Sequence, residues 1–224
     1  MQFDMSRRLA SEAIGTAFLV CAIVGSGIMA DMLSDDIAVS LLGNSLATGA
    51  ILFALITILG PISGAHFNPA VTFAFCLKRD IGLSEGLMYI AAQIAGGLIG
   101  TMVAHLMFSL DIIQISINAR TGGGQWIAES IATFGLVGII FAGIRFNANA
   151  IPALVGVYIP AAIWFTASTS FANPAVAIAR SVTDTFTGIR PIDLPGFIAA
   201  EFIGAAMAVA IFGWLLNETR SSVD

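Results

Sequence analysis

Apolar residues run along this chain in long blocks separated by short polar breaks. Crossing the roughly 30 Å hydrocarbon core of a bilayer takes about 20 mostly apolar residues in a helix. Six blocks meet that length, at roughly 8–30, 38–60, 84–109, 126–145, 150–168 and 195–216. Two shorter apolar stretches are left over, 69–79 and 174–184. At 1.5 Å per residue each reaches about 16 Å, half a membrane. Both start immediately after an Asn. The pattern predicts an all-α membrane protein with six transmembrane helices and two re-entrant half-helices.

Composition agrees. The chain is 58% hydrophobic and only 10% charged, against about 25% charged residues in a soluble domain. Too little charge is available to wrap a water-soluble surface, so the chain reads as one polytopic membrane domain over 1–224. The net charge of −5 points to no partner, and no basic patch suggests nucleic acid. Cys21 and Cys76 sit in apolar stretches, which suits two buried thiols rather than a disulfide. Arg7 and Arg8 precede an apolar run too long for a signal peptide, so no cleavable leader is expected.

Basic residues set the orientation. With both termini cytoplasmic, Arg7, Arg8, Lys78, Arg79, Arg145 and Arg220 lie inside, while Arg120, Arg180 and Arg190 lie outside. That bias follows the positive-inside rule. The expected location is the cell's inner (plasma) membrane.

The chain repeats itself, about 6–110 against about 125–217. Ser11-Glu12-Ala13-Ile14-Gly15-Thr16 is answered by Glu129-Ser130-Ile131-Ala132-Thr133. Phe67-Asn68-Pro69-Ala70-Val71 is answered by Ala172-Asn173-Pro174-Ala175-Val176, and Ala91-Ala92-Gln93-Ile94 by Ala199-Ala200-Glu201-Phe202. Each half holds an odd number of full spans, so the second must enter the membrane inverted. Inverted repeats with broken helices place the site at the midplane, where the halves meet.

Asn is a strong N-cap and Pro is favoured at the first helical position. Asn68-Pro69-Ala70 and Asn173-Pro174-Ala175 are therefore predicted helix starts in the membrane interior. Non-helical backbone survives there only if buried in protein or lining water. The loops before the motifs, with Gly64, Ala65 and His66 in one and Phe171 and Ala172 in the other, then offer carbonyls to a passing solute. Each Asn oxygen caps its own helix and leaves its NH2 as a donor. Two such donors, each on a helix end carrying about +0.5 charge, suit neutral solutes and repel cations.

On these motifs the sequence resembles the aquaporin, or major intrinsic protein, family. The resemblance rests on Ser63-Gly64-Ala65-His66-Phe67-Asn68-Pro69-Ala70-Val71-Thr72, on Asn173-Pro174-Ala175, and on Glu12 and Glu129. It implies one pore per protomer and usually a homotetramer. Intramembrane acids mark function by default, and Glu12 and Glu129 have two readings: proton relays, or the braces of the re-entrant loops that their counterparts in the family are. His66 either lines the pore or braces its loop, and His105 reads as helix-end packing.

Family channels narrow at four positions, and the resemblance assigns these to Thr48, Ala161, Ser170 and Val176. Water channels there resemble a ring of Phe, His, a small residue and Arg, with the Arg directly after the second motif. Here that position is Val176, and Ala177 stands where glycerol channels carry Asp. The set is uncharged and non-aromatic, which predicts a wide constriction and weaker discrimination against solutes larger than water. Arg180 follows Val176 by one helical turn and either leans back into the outer mouth or pairs with Asp184. The expected function is passive passage of small uncharged solutes: water, glycerol, urea and, by analogy with wide-filter bacterial members, arsenite and methylated arsenicals. A secondary transporter is the alternative, since such transporters share inverted repeats, although ionisable coupling groups at the midplane are wanting. No nucleophile–base pair, metal cluster or phosphate loop suggests an enzyme, and neither cofactor nor metal is expected.

Overall fold

The computed structural model describes residues 3–217. Arg220, counted above among the inner cations, lies outside the described residues. Eight α-helices follow in order: α1 (Met5–Leu33), α2 (Ile37–Ser63), α3 (Pro69–Leu77), α4 (Leu83–Met107), α5 (Gly123–Phe146), α6 (Ile151–Phe165), α7 (Pro174–Arg180) and α8 (Leu194–Leu215). Six are long and apolar enough to cross a membrane; α3 and α7 are the short ones. Asp4 opens α1 by accepting from the Arg7 N–H (2.9 Å), and Asp36 opens α2 by accepting from Ala38 (2.8 Å).

Two helices end three or more residues short of the sequence expectation. Helix α7 stops at Arg180 rather than near 184, because Ser181 turns back on the Ile178 carbonyl through both its N–H (3.1 Å) and its hydroxyl (2.7 Å). The following carbonyls are then taken by the inter-repeat linker, Ser181 O by the Ser116 N–H and Val182 O by the Gln114 N–H. Helix α6 ends at Phe165, where the chain peels off towards the second motif. The two cysteines are free and half-buried rather than buried.

The halves interlock. Helix α1 packs on α4 and α2, α5 packs on α8 and α6, and α2 against α6 joins the repeats. Each half-helix also leans on the other half: α3 on α8, α7 on α4 and α1. The outer faces carry large apolar side chains such as Phe18, Phe53, Val157 and Ile203, and the contacts between helices use small residues, as membrane helices do. A Cβ on Gly96 would strike the Ala13 carbonyl, and one on Gly204 would strike the Ser130 carbonyl. These are repeat mates, so the same backbone-on-backbone crossing is used twice. Gly96→Leu and Gly204→Leu should each force those crossings apart at a cost of about 1–3 kcal/mol. A lower midpoint of thermal unfolding in detergent for both would show it, and an unchanged midpoint would refute the close-packing account.

Candidate functional site

A cavity of about 480 Å³ runs through the centre, from Phe75, Ile144 and Ile151 on the side of the chain ends to Ile37 and Phe186 on the opposite side. One wall is apolar, supplied by helices: Leu19 and Ile23 of α1, Leu52 and Ile56 of α2, Leu136 and Ile140 of α5, and Val155, Ile159 and Ile163 of α6. The other is a polar strip made by the two re-entrant loops and the residues that open α3 and α7.

The strip owes its shape to left-handed backbone in both loops. Gly64, Ala65 and Phe67 have φ of 91°, 49° and 47°, and their repeat mates Thr169, Ser170 and Ala172 have 62°, 46° and 47°. Left-handed backbone costs a non-glycine residue roughly 1–2 kcal/mol, so neighbouring groups must hold it. Glu12, fully buried, does so in the first half. One carboxylate oxygen accepts from the Ser63 hydroxyl (2.6 Å) and the His66 N–H (3.0 Å), the other from the Phe67 N–H (2.7 Å) and the Gln93 amide (2.8 Å). In the second half Glu129 accepts from the Phe171 (2.9 Å) and Ala172 (2.6 Å) N–H groups. Glu201 takes the Asn173 N–H (2.9 Å), a role that the repeat alignment with Gln93 hints at and composition does not.

With the N–H groups taken from behind, the carbonyls are left to the pore. Among the described residues, the Gly64, Ala65, His66, Thr169 and Ser170 carbonyls accept no protein hydrogen bond. The two asparagines meet between the loops. Asn68 Oδ1 caps α3 at the Ala70 N–H (2.8 Å) while its amide donates to the Ala172 carbonyl (2.6 Å). Asn173 Oδ1 caps α7 at Ala175 (3.0 Å) and Val176 (3.3 Å) while its amide donates to the Phe67 carbonyl (2.8 Å). Each amide has two N–H groups. One therefore cross-links the halves and one faces the cavity, so the amides are less free than the sequence reading supposes. The prolines and alanines of both motifs are buried beneath, off the cavity wall.

Of the remaining predicted residues, Gly64, Ala65, His66, Phe171, Ala172, Thr48, Ser170 and Val176 all line the cavity. Thr48 spends its hydroxyl proton on the Asn44 carbonyl (2.8 Å). The buried Ser170 hydroxyl has no partner. His66 Nδ1 lies 3.1 Å from the Thr72 hydroxyl, and its ring stacks on Phe75 at 4.5 Å. Ala161 is a correction. It lies on the exposed outer face of α6, away from the cavity. It stands two residues, about 200° of helix, from both Ile159 and Ile163, which do line it. A gapless count back from Asn173 assumes a fixed path from α6 to the motif; the helix face actually presented is set by packing on α2, where Gly49 meets Gly156 and Pro160.

Arg180 lines the cavity and is buried. Its Cζ lies 3.4 Å over the Phe171 ring and its Nε donates to the Thr187 carbonyl. Asp184 accepts instead from the Ile117 N–H (2.9 Å), and no ion pair joins the two among the described residues. A second cation, Arg120, also lines the cavity. Nothing in the sequence marked it except its place just before Gly122-Gly123-Gly124 in the linker between repeats. His105 does more than pack a helix end: its ring nitrogens bond the Ile112 carbonyl (2.8 Å) and the Thr183 hydroxyl (2.7 Å), pinning the linker to the loop after α7.

The family profile for "Major intrinsic protein" matches residues 1–170. The chain is 58% identical over 219 residues to aquaglyceroporin AqpS of Rhizobium meliloti, covering 98% of this chain and 94% of that one. It is 30% identical to nodulin-26 of Glycine max, covering 96% of this chain and 78% of the relative. Among solved structures, the aquaglyceroporin from Plasmodium falciparum superposes with a TM-score of 0.72 at 20% identity, over 93% of this chain and 96% of that one.

Proposed function

Because the chain belongs to the major intrinsic protein family of membrane channels, we propose that its cavity is a conduction path for small uncharged solutes, bulkier ones than water included. The substrates are water, glycerol, urea and small neutral polyhydroxyl acids such as arsenite, with methylated arsenicals in the same class. The observation that carries the reading is the wall opposite α6. There the residue after the second motif is Val176, buried against a cavity of about 480 Å³ and bringing neither charge nor donor. Ile159, Ile163 and the small Thr48 line the same cavity from α6 and α2. The relative named an aquaglyceroporin at 58% identity supports the same solute class. The polar strip of unspent carbonyls gives a hydroxylated solute acceptors on one side, while the aliphatic wall lets its carbon or arsenic centre pass on the other.

In this reading the chain sits in the inner membrane with both ends in the cytoplasm. Arg7, Arg8, Lys78, Arg79 and Arg145 then lie inside, and Arg120, Arg180 and Arg190 outside. It assembles as a homotetramer, which the apolar outer faces of the helices accommodate and which light scattering of the purified protein in detergent checks.

Stopped-flow light scattering on proteoliposomes tests the solute range. Val176→Arg should lower glycerol, urea and arsenite flux by about tenfold, equivalent to ~1.4 kcal/mol of added barrier, while lowering water flux much less. Equal losses for all solutes would remove Val176 from the constriction.

A further inference from the structure

We propose that Arg120 and Arg180 together form the charged outer constriction of this pore, supplying from outside the motif the positive charge that Val176 does not. The inference rests on the conduction path proposed above. Both side chains line the cavity and both guanidinium carbons lie over one ring, Phe171, at 5.1 Å for Arg120 and 3.4 Å for Arg180. Phe171 is fixed in turn, its N–H held by Glu129 (2.9 Å) and its ring edge-on to the buried Phe197 at 5.1 Å.

Arg120 reaches this place from the linker because the linker is stitched across the mouth. The Gln114 and Ser116 N–H groups donate to Val182 and Ser181, the Asn118 amide to Thr185 (2.8 Å), and the Arg120 N–H to Asp193 (2.8 Å). The side chain is then aimed inward. Nε donates to the Gly188 carbonyl (2.8 Å), and one terminal nitrogen approaches the Thr169 hydroxyl (3.3 Å) and the Ser168 carbonyl (3.5 Å). Arg180 spends only its Nε, on Thr187.

Among the described residues neither side chain makes an ion pair. Asp193 is spent on the Arg120 N–H and the Arg190 side chain, and Glu129 and Glu201 behind the loop are turned to the backbone N–H groups of Phe171, Ala172 and Asn173. Arg180 is buried and Arg120 half-buried; a buried cation without a carboxylate partner is costly and, in a membrane protein, marks a pathway. Each guanidinium has five N–H donors, and the bonds above leave Arg180 both terminal nitrogens and Arg120 one. Both side chains line the cavity beside the loop whose Thr169 and Ser170 carbonyls are unspent. A neutral hydroxyl-bearing solute finds donors and acceptors at one level there. A cation or hydronium ion meets two fixed positive charges before it reaches the midplane.

Proteoliposomes loaded with a pH-sensitive dye decide it, with glycerol flux read on the same vesicles. Arg120→Leu and Arg120→Gln should each raise proton and potassium leak about tenfold, as loss of one of two close charges at low dielectric implies. Arg120→Lys, which keeps the charge, should stay near the wild-type leak. The Gln variant keeps a donor for Gly188 and so guards against misfolding of the Leu variant. Arg180→Leu should leak in the same way. A wild type that passes no glycerol would sink the conduction reading itself. A wild type that passes glycerol while the Leu and Gln variants stay ion-tight would overturn the role given to the two arginines alone.

Discussion

Glu12→Ala should abolish most of the folded protein recovered in detergent, and Glu12→Gln should lie midway. The carboxylate accepts four hydrogen bonds, two from the backbone of the first re-entrant loop at His66 and Phe67 and two from the Ser63 and Gln93 side chains. Alanine leaves the His66 and Phe67 N–H groups and one Gln93 N–H without an acceptor, inside the membrane and away from bulk water, while the Ser63 hydroxyl can turn to Ser11. Each orphaned buried donor costs about 1–3 kcal/mol. For three donors the sum is about 3–9 kcal/mol, a large share of the ~5–15 kcal/mol that holds a typical folded chain together. The loop also loses what holds Ala65 and Phe67 in left-handed backbone, so Asn68 would lose its place opposite Ala172. Glutamine keeps one oxygen and turns an NH2 towards two of the donors, so it saves about half of the bonds. The fraction running as a monodisperse species by size exclusion, with the thermal midpoint of whatever remains, is the measure. A Glu12→Ala protein as stable as wild type that had lost only transport would show that the carboxylate works on the solute rather than on the loop.

What could be read from the sequence, and what could not, divides along a physical line. Spans, half-spans and repeat were visible because the bilayer imposes length and apolarity on each segment, and because Asn-Pro-Ala has a mechanical meaning as a helix start. Helix starts were therefore easier to place than helix ends. The N-cap is a side-chain event, whereas α7 stops at Arg180 through a turn at Ser181 and carbonyls claimed by a distant linker. The pore wall was harder. Thr48, Ser170 and Val176 sit on the cavity, but Ala161 does not, because two residues of register on a helix exchange one face for the opposite one. Arg120 was beyond reach. Its position depends on long-range bonds from Gln114 to Asp193 that leave no spacing in the sequence, and an arginine in a loop is ordinarily a solvated one. Glu201 lay between these cases: its alignment with Gln93 placed it near the loop, but only the geometry gives it the Asn173 N–H.

The second large effect concerns the asparagines, each of which carries a cap and a cross-link. Asn68→Ala removes the cap on α3 and the bond to Ala172; Asn173→Ala removes the cap on α7 and the bond to Phe67. A lost cap costs about 1 kcal/mol, and a carbonyl orphaned at the midplane about 1–3 kcal/mol, so each alanine should cost about 2–4 kcal/mol. Aspartate separates the two contributions, since it retains the capping oxygen and lacks the amide. Asn68→Asp should keep α3 capped yet set a carboxyl oxygen against the Ala172 carbonyl, destabilising through the cross-link alone. Because the two cross-links run in opposite directions between the same two loops, losing one frees the loop that offers the other. The double alanine variant should therefore be less destabilised than the sum of the singles, by about 0.5–3 kcal/mol. Strict additivity in denaturant titrations would mean that the halves do not hold each other through Asn68 and Asn173. Coupling of that size would mean that the amides facing the solute are positioned by the same bonds that join the repeats, so that the fold and the pore cannot be altered separately at this level of the membrane.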